Sequence, residues 1–284
     1  MKKNLLIVVI LAVCSIGIVK GQTVADSLAI VSACWKIENF QKGIVYKYAS
    51  IPQLYQGPQS ISLIEIDPVA GLKVGVAVSD KMKETSKIAS EYNAIAAING
   101  SYFDMKRGNS VCFLKADRQI IDTTMQSEFK LRVTGAINVR KGKIKLIPWS
   151  KQIEKEYEGE TGMVLASGPL MLKDGQICDW NSCGANFIRT KHPRSAVATT
   201  KEGKILLITV DGRFPEQAEG VNIPELAHLI RILGGEDALN LDGGGSTTLW
   251  LSGASDDGVV NYPCDNGRFD HAGERKVPNI LYIH

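Results

Sequence analysis

The residues best suited to chemistry lie in one stretch, residues 239–250, where two short apolar runs flank three consecutive glycines. Glycine weakens a strand interior, so three together indicate a backbone that turns through positive φ or lies close against a ligand. A carboxylate, hydroxyls and N–H groups within a few residues can bind a polar or anionic molecule. A glycine-rich hairpin capped by aspartate also fits, because Asp-Gly is a strong hairpin signal. The candidate residues are Asp242, Gly243, Gly244, Gly245, Ser246 and Thr247.

Two other predicted strands end in similar residues. An apolar run at 94–98 leads into Asn99 and Gly100, and a continuous apolar run at 204–210 leads into Asp211, Gly212 and Arg213. An amphipathic helix precedes both the first run and the 238–241 strand, which is a weak internal repeat. If the three strands are neighbours in one sheet and run the same way, their polar ends meet at one edge, where proteins often build sites on loops.

Residues 192–198 place a charged and hydroxylated start before another apolar strand. Arg194 can bind an anion in bidentate fashion, although a surface ion pair would also explain it. For His192 a solvent-exposed loop position is the favoured interpretation, because only four histidines occur and none has metal-like spacing.

The N-terminus predicts export. Residues 1–21 carry two lysines, an apolar run and a small residue before Gln22, which together indicate a secretory signal peptide. The apolar run is too short for a membrane span, and no later segment is long and apolar enough. We therefore expect a soluble periplasmic or secreted protein, with lipid attachment through Cys14 as the minority alternative. Cleavage removes three lysines and no acid, so the net charge falls from +3 to zero, and no electrostatic case for nucleic acid remains.

Five cysteines remain after the predicted cleavage, and an exported chain allows disulfides. Because the count is odd, at least one thiol stays free or pairs with another chain. Cys178 and Cys183 are the best candidates for a pair. A zinc site is the alternative, but no second closely spaced cysteine or histidine pair completes four ligands.

The rest of the chain is typical of a sheet protein. Period-2 runs at 60–67 and 72–78 predict paired strands, and residue 79 or 80 can cap a helix through about residue 92. No internal linker is visible. The chain is 44% hydrophobic, which is enough to fill a core. We predict a signal peptide at 1–21, an N-terminal extension at 22–60 that carries no motif, and one domain at 61–284.

Five motifs together resemble the phosphodiester glycosidase family, in that family's order. Each is weak alone, and together they span most of the chain after about residue 61. They lie at residues 99–103, 167–169, 192–196, 209–213 and 240–248.

The resemblance implies an α+β fold, here a single β-rich domain with mixed sheets and a few packed helices. It also implies cleavage of the glycosidic C–O bond of a sugar-1-phosphodiester of the N-acetylglucosamine type. The leaving phosphate is already a stable anion, so the chemistry needs a cation for the phosphate and a carboxylate for the oxocarbenium-like sugar or the attacking water. Arg194 and Arg213 suit the first task, and Asp211 and Asp242 suit the second.

Other residues of the motifs are expected to bind substrate. The glycine-flanked N–H groups, with Ser246 and Thr247, can hold phosphate oxygens. The remaining binding candidates, three of which would orient sugar hydroxyls, are Asn99, Tyr102, Asp104, Ser195 and Gly212.

Two other functions stay open at this stage. A metal-dependent phosphodiesterase would use Asp104, Asp211 and Asp242 as oxygen ligands. A non-catalytic carbohydrate-binding envelope protein would keep the fold without turnover. The expected partner is a small-molecule or glycan phosphodiester, with no cofactor, although a bound divalent cation is not excluded.

Overall fold

The computed structural model describes residues 22–116, 119–157 and 162–284. The predicted signal peptide and Cys14 lie outside these residues. Within the described residues, no helix is long and apolar enough to cross a membrane.

The described residues form an α+β fold dominated by strands, as predicted. The strands, in chain order, are β1 (Lys36–Gln41), β2 (Ile44–Leu54), β3 (Gly57–Ile66), β4 (Val74–Glu84), β5 (Ala96–Asn99), β6 (Leu114–Ala116), β7 (Gln119–Asp122), β8 (Gly135–Arg140), β9 (Lys143–Pro148), β10 (Met163–Ser167), β11 (Leu170–Lys173), β12 (Gln176–Ile177), β13 (Arg194–Thr200), β14 (Ile205–Val210), β15 (Gly235–Asn240), β16 (Leu249–Leu251) and β17 (Lys276–Ile283). The α-helices are α1 (Val24–Val31), α2 (Thr85–Glu91), α3 (Gln126–Leu131), α4 (Lys151–Lys155), α5 (Ala185–Arg189) and α6 (Ile223–Ile232).

The strands form three sheets. The largest has eight strands in the order β1-β2-β3-β14-β13-β15-β11-β12, and the others have the orders β7-β6-β10-β8-β9 and β16-β5-β17-β4. Every pairing between these named strands is antiparallel, where the prediction allowed mixed sheets. One core cluster draws buried residues from all three sheets, so the sheets enclose a common interior.

The large sheet is covered on both faces. Its central strand β14 is buried at every position, which confirms the prediction from its continuous apolar run. Helix α6 packs four apolar residues on the outer face, and burying such side chains stabilises the fold by roughly 1.5–3 kcal/mol each. Asn222 begins this helix in a capping box with Glu225, and a proline lies in its first turn. These four apolar residues are Ile223, Leu226, Leu229 and Ile230, and Ala227 is buried beside them.

Two predicted boundaries differ from the structure. Residues 36–60 are part of the large sheet rather than an appended extension, because they form β1, β2 and the start of β3, and the boundary at 60 and 61 falls inside β3. The helix expected from residue 79 or 80 begins only at Thr85, because β4 continues pairing with β17 as far as Glu84. In both cases pairing with a distant segment overrides the local pattern.

The sheet geometry expected for the three polar strand ends is wrong in two respects. Strand β5, which carries Asn99, belongs to the four-stranded sheet, whereas β14 and β15 belong to the large sheet. β13 lies between β14 and β15 and is antiparallel to both, so these two strands run the same way without being neighbours. The polar ends therefore come together between two sheets, not along one edge.

Candidate active site

The ends of β5 and β15 meet directly. The N–H of Asp242 donates to the carbonyl of Gly100 at 3.0 Å, and Nδ2 of Asn99 donates to the carbonyl of Asp242 at 2.7 Å. Oδ1 of Asn99 also accepts from Ser195 Oγ at 2.6 Å and from the Thr248 N–H at 3.1 Å. Asn99 and Ser195 are fully buried, so they hold the two strand ends together.

Asp242 is a carboxylate at the lip of this junction and keeps part of its surface exposed. Its Oδ1 accepts the Gly243 N–H at 2.9 Å. Burial raises the pKa of Asp242, and Ser246, Arg132, the Gly243 N–H and Arg275 oppose that rise. The group is therefore a desolvated carboxylate near positive charge, an environment that is common for reactive acids.

Arg213 crosses the glycine stretch from the end of β14. It is exposed and adopts φ +71°, a left-handed conformation that residues other than glycine rarely adopt. Its Nη1 donates to Cys264 Sγ at 3.6 Å. A Cβ on Gly244, which itself has φ +64°, would lie 2.9 Å from Arg213 Nη2. Gly244 thus leaves the space in which the guanidinium lies, and strain of this kind clusters at functional sites.

A second arginine lies against the next glycine. Arg275 contacts the position that a Cβ on Gly245 would occupy, and its Nε donates to Asp265 Oδ1 at 3.0 Å. Nη2 of Arg275 also contacts the same carboxylate oxygen. Sequence reasoning missed both residues, because Asp265 lies in a polar loop and Arg275 precedes an ordinary strand.

A third arginine was also missed. Arg132 lies flat on Tyr102, with its guanidinium carbon 3.6 Å from the ring centroid, and its Nε pairs with Glu128 at 2.7 Å. Its side chain is 21% exposed, and its charge opposes the rise in the Asp242 pKa. No pattern around Leu131 or Val133 distinguishes Arg132, so only the tertiary structure finds it.

Tyr102 itself is buried and positions its neighbours. Its hydroxyl donates to the Gly168 carbonyl at 2.6 Å and accepts from Asn240 Nδ2 at 2.7 Å. The ring supports Arg132, which is a different contribution from the predicted contact with sugar hydroxyls.

The glycine stretch differs in detail from the predicted phosphate cradle. Backbone occupies the space beside Gly212 and Gly243, since a Cβ on Gly243 would lie 2.6 Å from the Pro193 carbonyl oxygen and one on Gly212 would lie 2.8 Å from Pro193 N. The N–H of Gly244 donates to the same carbonyl at 2.9 Å, and those of Ser246 and Thr247 donate back into the turn. These N–H groups form hydrogen bonds within the protein, so side chains rather than these N–H groups are available to bind an anion.

The hydroxyls of this stretch are buried. Ser246 Oγ and Thr247 Oγ1 have no partner of acceptable hydrogen-bond geometry among the described residues. Ser246 is nevertheless close enough to Asp242 to lower its pKa. Buried hydroxyls without partners are costly, which is consistent with a site prepared for a polar ligand.

Asp211, expected to be catalytic, is completely buried with both oxygens bonded. It accepts from Ser60 Oγ at 2.7 Å, Asn261 Nδ2 at 2.9 Å and the Tyr262 N–H at 3.0 Å. Burial raises its pKa to about 6. Asn261 also donates to the Thr247 carbonyl at 3.1 Å, so Asp211 acts on the glycine stretch through another side chain.

Arg194 is likewise buried, with 2% exposure. Its guanidinium donates to the carbonyls of Val221, Phe187 and Thr190 at 3.1, 3.1 and 2.8 Å. Burial lowers its pKa to about 10, which still leaves it charged at neutral pH. Arg194 therefore orders main-chain carbonyls through Nε and Nη2, and its contact with phosphate stays a prediction.

Asp104 caps a turn. Its Oδ1 accepts the N–H groups of Lys106 and Arg107 at 2.8 and 3.1 Å, which holds its pKa below the usual range. Asp104, Asp211 and Asp242 each accept hydrogen bonds from different partners, so the three carboxylates do not form the common set of metal ligands that a phosphodiesterase would need. Across residues 22–116, 119–157 and 162–284, no three histidine, cysteine or acidic residues are grouped for metal binding.

Two further predictions concern cysteines and His192. Cys178 and Cys183 are free thiols in the structure, so the proposed pair is not formed. His192 is part-exposed, and its main chain forms an isolated bridge with Val221. Burial, with Arg194 and Arg213 nearby, lowers the pKa of His192.

Comparison with known proteins agrees with this architecture. The N-acetylglucosamine-1-phosphodiester alpha-N-acetylglucosaminidase of Mus musculus is 24% identical over 205 residues, which cover 66% of this chain and 37% of the mouse protein. The Homo sapiens protein of that name is 24% identical over 222 residues, which cover 72% of this chain and 39% of the human protein. This chain thus spans about two fifths of the length of these curated relatives.

Solved structures share the fold. The catalytic domain of the zebrafish N-acetylglucosamine-1-phosphodiester alpha-N-acetylglucosaminidase, auto-inhibited by its pro-peptide, superposes with a TM-score of 0.66 at 20% identity, covering 87% of this chain and 85% of that one. A hypothetical protein from Synechocystis superposes with a TM-score of 0.62 at 16% identity, covering 88% and 63% of the two chains.

The family model described as phosphodiester glycosidase matches residues 92–284. This range includes the three polar strand ends and the four arginines described above. Because that match covers more than half of the sequence, this chain belongs to the phosphodiester glycosidase family.

Proposed function

We propose that this protein is an exported hydrolase that cleaves the glycosidic C–O bond of a sugar-1-phosphodiester, releasing the sugar and a phosphomonoester. An N-acetylglucosamine-1-phosphodiester is the proposed substrate type, since the curated relatives are named for it. The observation that carries the proposal is the partly exposed carboxylate of Asp242 with the charges of Arg132 and Arg275 acting on it.

The sugar side of the reaction needs a negative charge. In an oxocarbenium-like transition state, positive charge develops at the anomeric carbon, and a fixed carboxylate stabilises it or activates water. Asp242 is the described carboxylate that is held at the strand junction and remains partly open. Its ionised form is the active form in this mechanism.

The phosphate side needs cations. Arg213 and Arg275 lie against successive glycines, and Arg132 lies on Tyr102 with part of its side chain open. Guanidinium groups bind phosphate oxygens through paired N–H donors and stabilise the charge that the leaving group gains. Asp265 and Glu128 orient Arg275 and Arg132 and leave other N–H groups for the substrate.

A phosphomonoester leaves as an anion, so a strong general acid is unnecessary. Asp211, which has no exposed surface, is assigned the task of fixing Asn261 and Tyr262. This assignment separates a substrate-contacting aspartate from a positioning one.

The test is turnover of methyl and aryl N-acetylglucosamine-1-phosphodiesters in H₂¹⁸O, with products identified by NMR and mass spectrometry. The proposal expects ¹⁸O in the released sugar and an unlabelled phosphomonoester. Label in the phosphate, with activity lost to a chelator, would instead identify a metal-dependent phosphodiesterase. Mass spectrometry of the mature N-terminus tests export, for which cleavage after residue 21 is expected.

A further inference from the structure

A groove of about 560 Å³ lies between the β1–β2 ribbon and the segment that follows β16. Aromatic rings supply much of its wall, and they come from both sides. Phe40, Tyr46 and Tyr48 come from the ribbon, and Tyr262 and His271 come from the opposite side.

We propose that this groove is a second carbohydrate-binding site, which takes an uncharged pyranose unit of a glycan and is separate from the hydrolytic centre. The pyranose ring presents a face of C–H groups that packs on an aromatic ring, while its hydroxyls bond to polar groups at the rim. Pockets of this kind combine ring surface with a few placed polar atoms.

Tyr48 offers ring surface to the groove, and Lys36 Nζ lies 5.7 Å from its ring centroid. It is half-buried and its centroid lies 6.1 Å from that of Tyr262, at an interplanar angle of 56°. Tyr262 is rigid, because Phe269 stacks on it at 4.1 Å and His271 lies 4.3 Å away. The floor is fixed as well, since the Tyr46 hydroxyl donates to the Val260 carbonyl at 2.7 Å. A preformed wall and floor reduce the entropy that a weak ligand must overcome.

The rim suits an uncharged ligand. Lys36 and Glu38 line the groove, and neither forms an ion pair with another described residue, so one positive and one negative group face it together. His271 Nδ1 lies 2.6 Å from the Asn261 carbonyl, and a carbonyl can only accept. Nδ1 therefore carries the proton in the neutral ring, and Nε2 is an acceptor for a ligand hydroxyl.

The local structure disfavours a protein strand as the occupant. β1 is the outermost strand of the large sheet, and a free strand edge can pair with another chain. Its register shifts between Asn39 and Gln41, and it carries Lys36 and Glu38. Bulges and charges are the features that protect edges from such pairing. A small ligand on the face of the ribbon meets neither obstacle.

The groove is linked to the active site through Tyr262. The ring lies in the groove, and the Tyr262 N–H donates to Asp211. Two residues later, Cys264 contacts Arg213. The site can thus retain a glycan close to the hydrolytic centre. Its existence does not depend on the proposed reaction.

The test is binding of chitotetraose, cellotetraose and maltotetraose to the Asp242→Asn variant, followed by isothermal calorimetry and by shifts of the tyrosine ring signals in NMR spectra. Using a hydrolytically disabled variant separates this proposal from the proposed function. We expect at least one saccharide to bind with a dissociation constant of about 1 mM or tighter and to shift the Tyr48 signals.

In the same background, Tyr48→Ala should weaken that binding about tenfold or more, whereas Tyr48→Phe should retain it. Tyr92→Ala is the matched control, because Tyr92 is a part-exposed tyrosine that packs on Tyr282 in the four-stranded sheet. Unchanged binding in Tyr48→Ala, or no binding of any of the three saccharides, would overturn the proposal. Thermal unfolding of Tyr48→Ala shows whether a loss of binding reflects the missing ring or misfolding, and Tyr48→Phe shows whether the ring alone is sufficient.

Discussion

Two strand ends with the same Asp-Gly sequence have different environments. Asp242 lies at the junction of β15 and β5, keeps part of its surface exposed and has the charges of Arg132 and Arg275 acting on it. Asp211 follows β14, has no exposed surface and uses both oxygens to bind Ser60, Asn261 and Tyr262. The first can meet a substrate, and the second can act only through its neighbours.

An Asp-Gly strand end therefore fixes where an aspartate lies in the fold but not what it does. The role depends on what covers the carboxylate. At Asp211, a strand from the N-terminal region and a loop 50 residues later bring donors to both oxygens. At Asp242, the Gly243 N–H binds one oxygen and leaves the carboxylate partly open.

The largest effect is expected for Asp242→Asn. The amide keeps the shape but carries no charge for the oxocarbenium-like sugar, so kcat should fall about 10³-fold with KM little changed. Thermal unfolding should show a retained fold, because the Gly243 N–H keeps an oxygen acceptor. A variant with more than a tenth of wild-type kcat would remove Asp242 from the mechanism.

A smaller loss, about 10²-fold in kcat/KM, is expected for Arg213→Gly, which removes a cation that we propose binds the phosphate. Glycine adopts φ +71° without strain, so the midpoint of thermal unfolding should hold or rise. Lys141→Gly is the matched control, since Lys141 is an exposed basic residue at φ +50° in the β8–β9 turn. The control should show the same stability response with full activity. Equal activity losses in the two variants would contradict a specific role for Arg213.

Asp211→Asn should lower kcat/KM by less than about tenfold. The amide oxygen can still accept from Asn261 and Tyr262, and the Ser60 hydroxyl can rotate to accept from the new N–H₂ group. Asp211→Ala leaves those buried donors unpaired and should cost about 2–4 kcal/mol of unfolding free energy. Denaturant unfolding of both variants checks this. An alanine variant as stable as wild type would show that the hydrogen bonds of Asp211 are dispensable.

The last expected effect is a dependence of stability on pH. The folded-state pKa of Asp211 is about 6, above the ordinary value of 3.8, so between these values the folded protein binds a proton that the unfolded chain lacks. Its contribution to stability is therefore complete below pH 3.8 and is lost as the pH rises through 6, by about 3 kcal/mol in total. Wild-type stability relative to Asp211→Asn should fall across this window. A difference that rises with pH would mean that Asp211 is stabilised as the anion.

Much of the fold and part of the site could be predicted from sequence. The strand ends at Asn99 and Asp242 do meet, because apolar runs ending in Asn or Asp followed by glycine mark buried strands and turns. The burial of Asp211 could not be predicted, since Ser60, its partner, lies 151 residues earlier in a segment without a motif. Arg132 and Arg275 could not be predicted for the same reason. Their neighbours in sequence are ordinary, and only tertiary contacts with Tyr102 and Gly245 bring them to the site.

The central claim is that Asp242 contacts the substrate while Asp211 positions the loop. The most direct measurement is kcat for Asp242→Asn and Asp211→Asn, side by side, on one N-acetylglucosamine-1-phosphodiester, with both variants shown to be folded. We predict that the Asp242 variant is slower than the Asp211 variant by about 10²-fold or more. Equal losses in the two variants, or a larger loss at Asp211, would contradict the account.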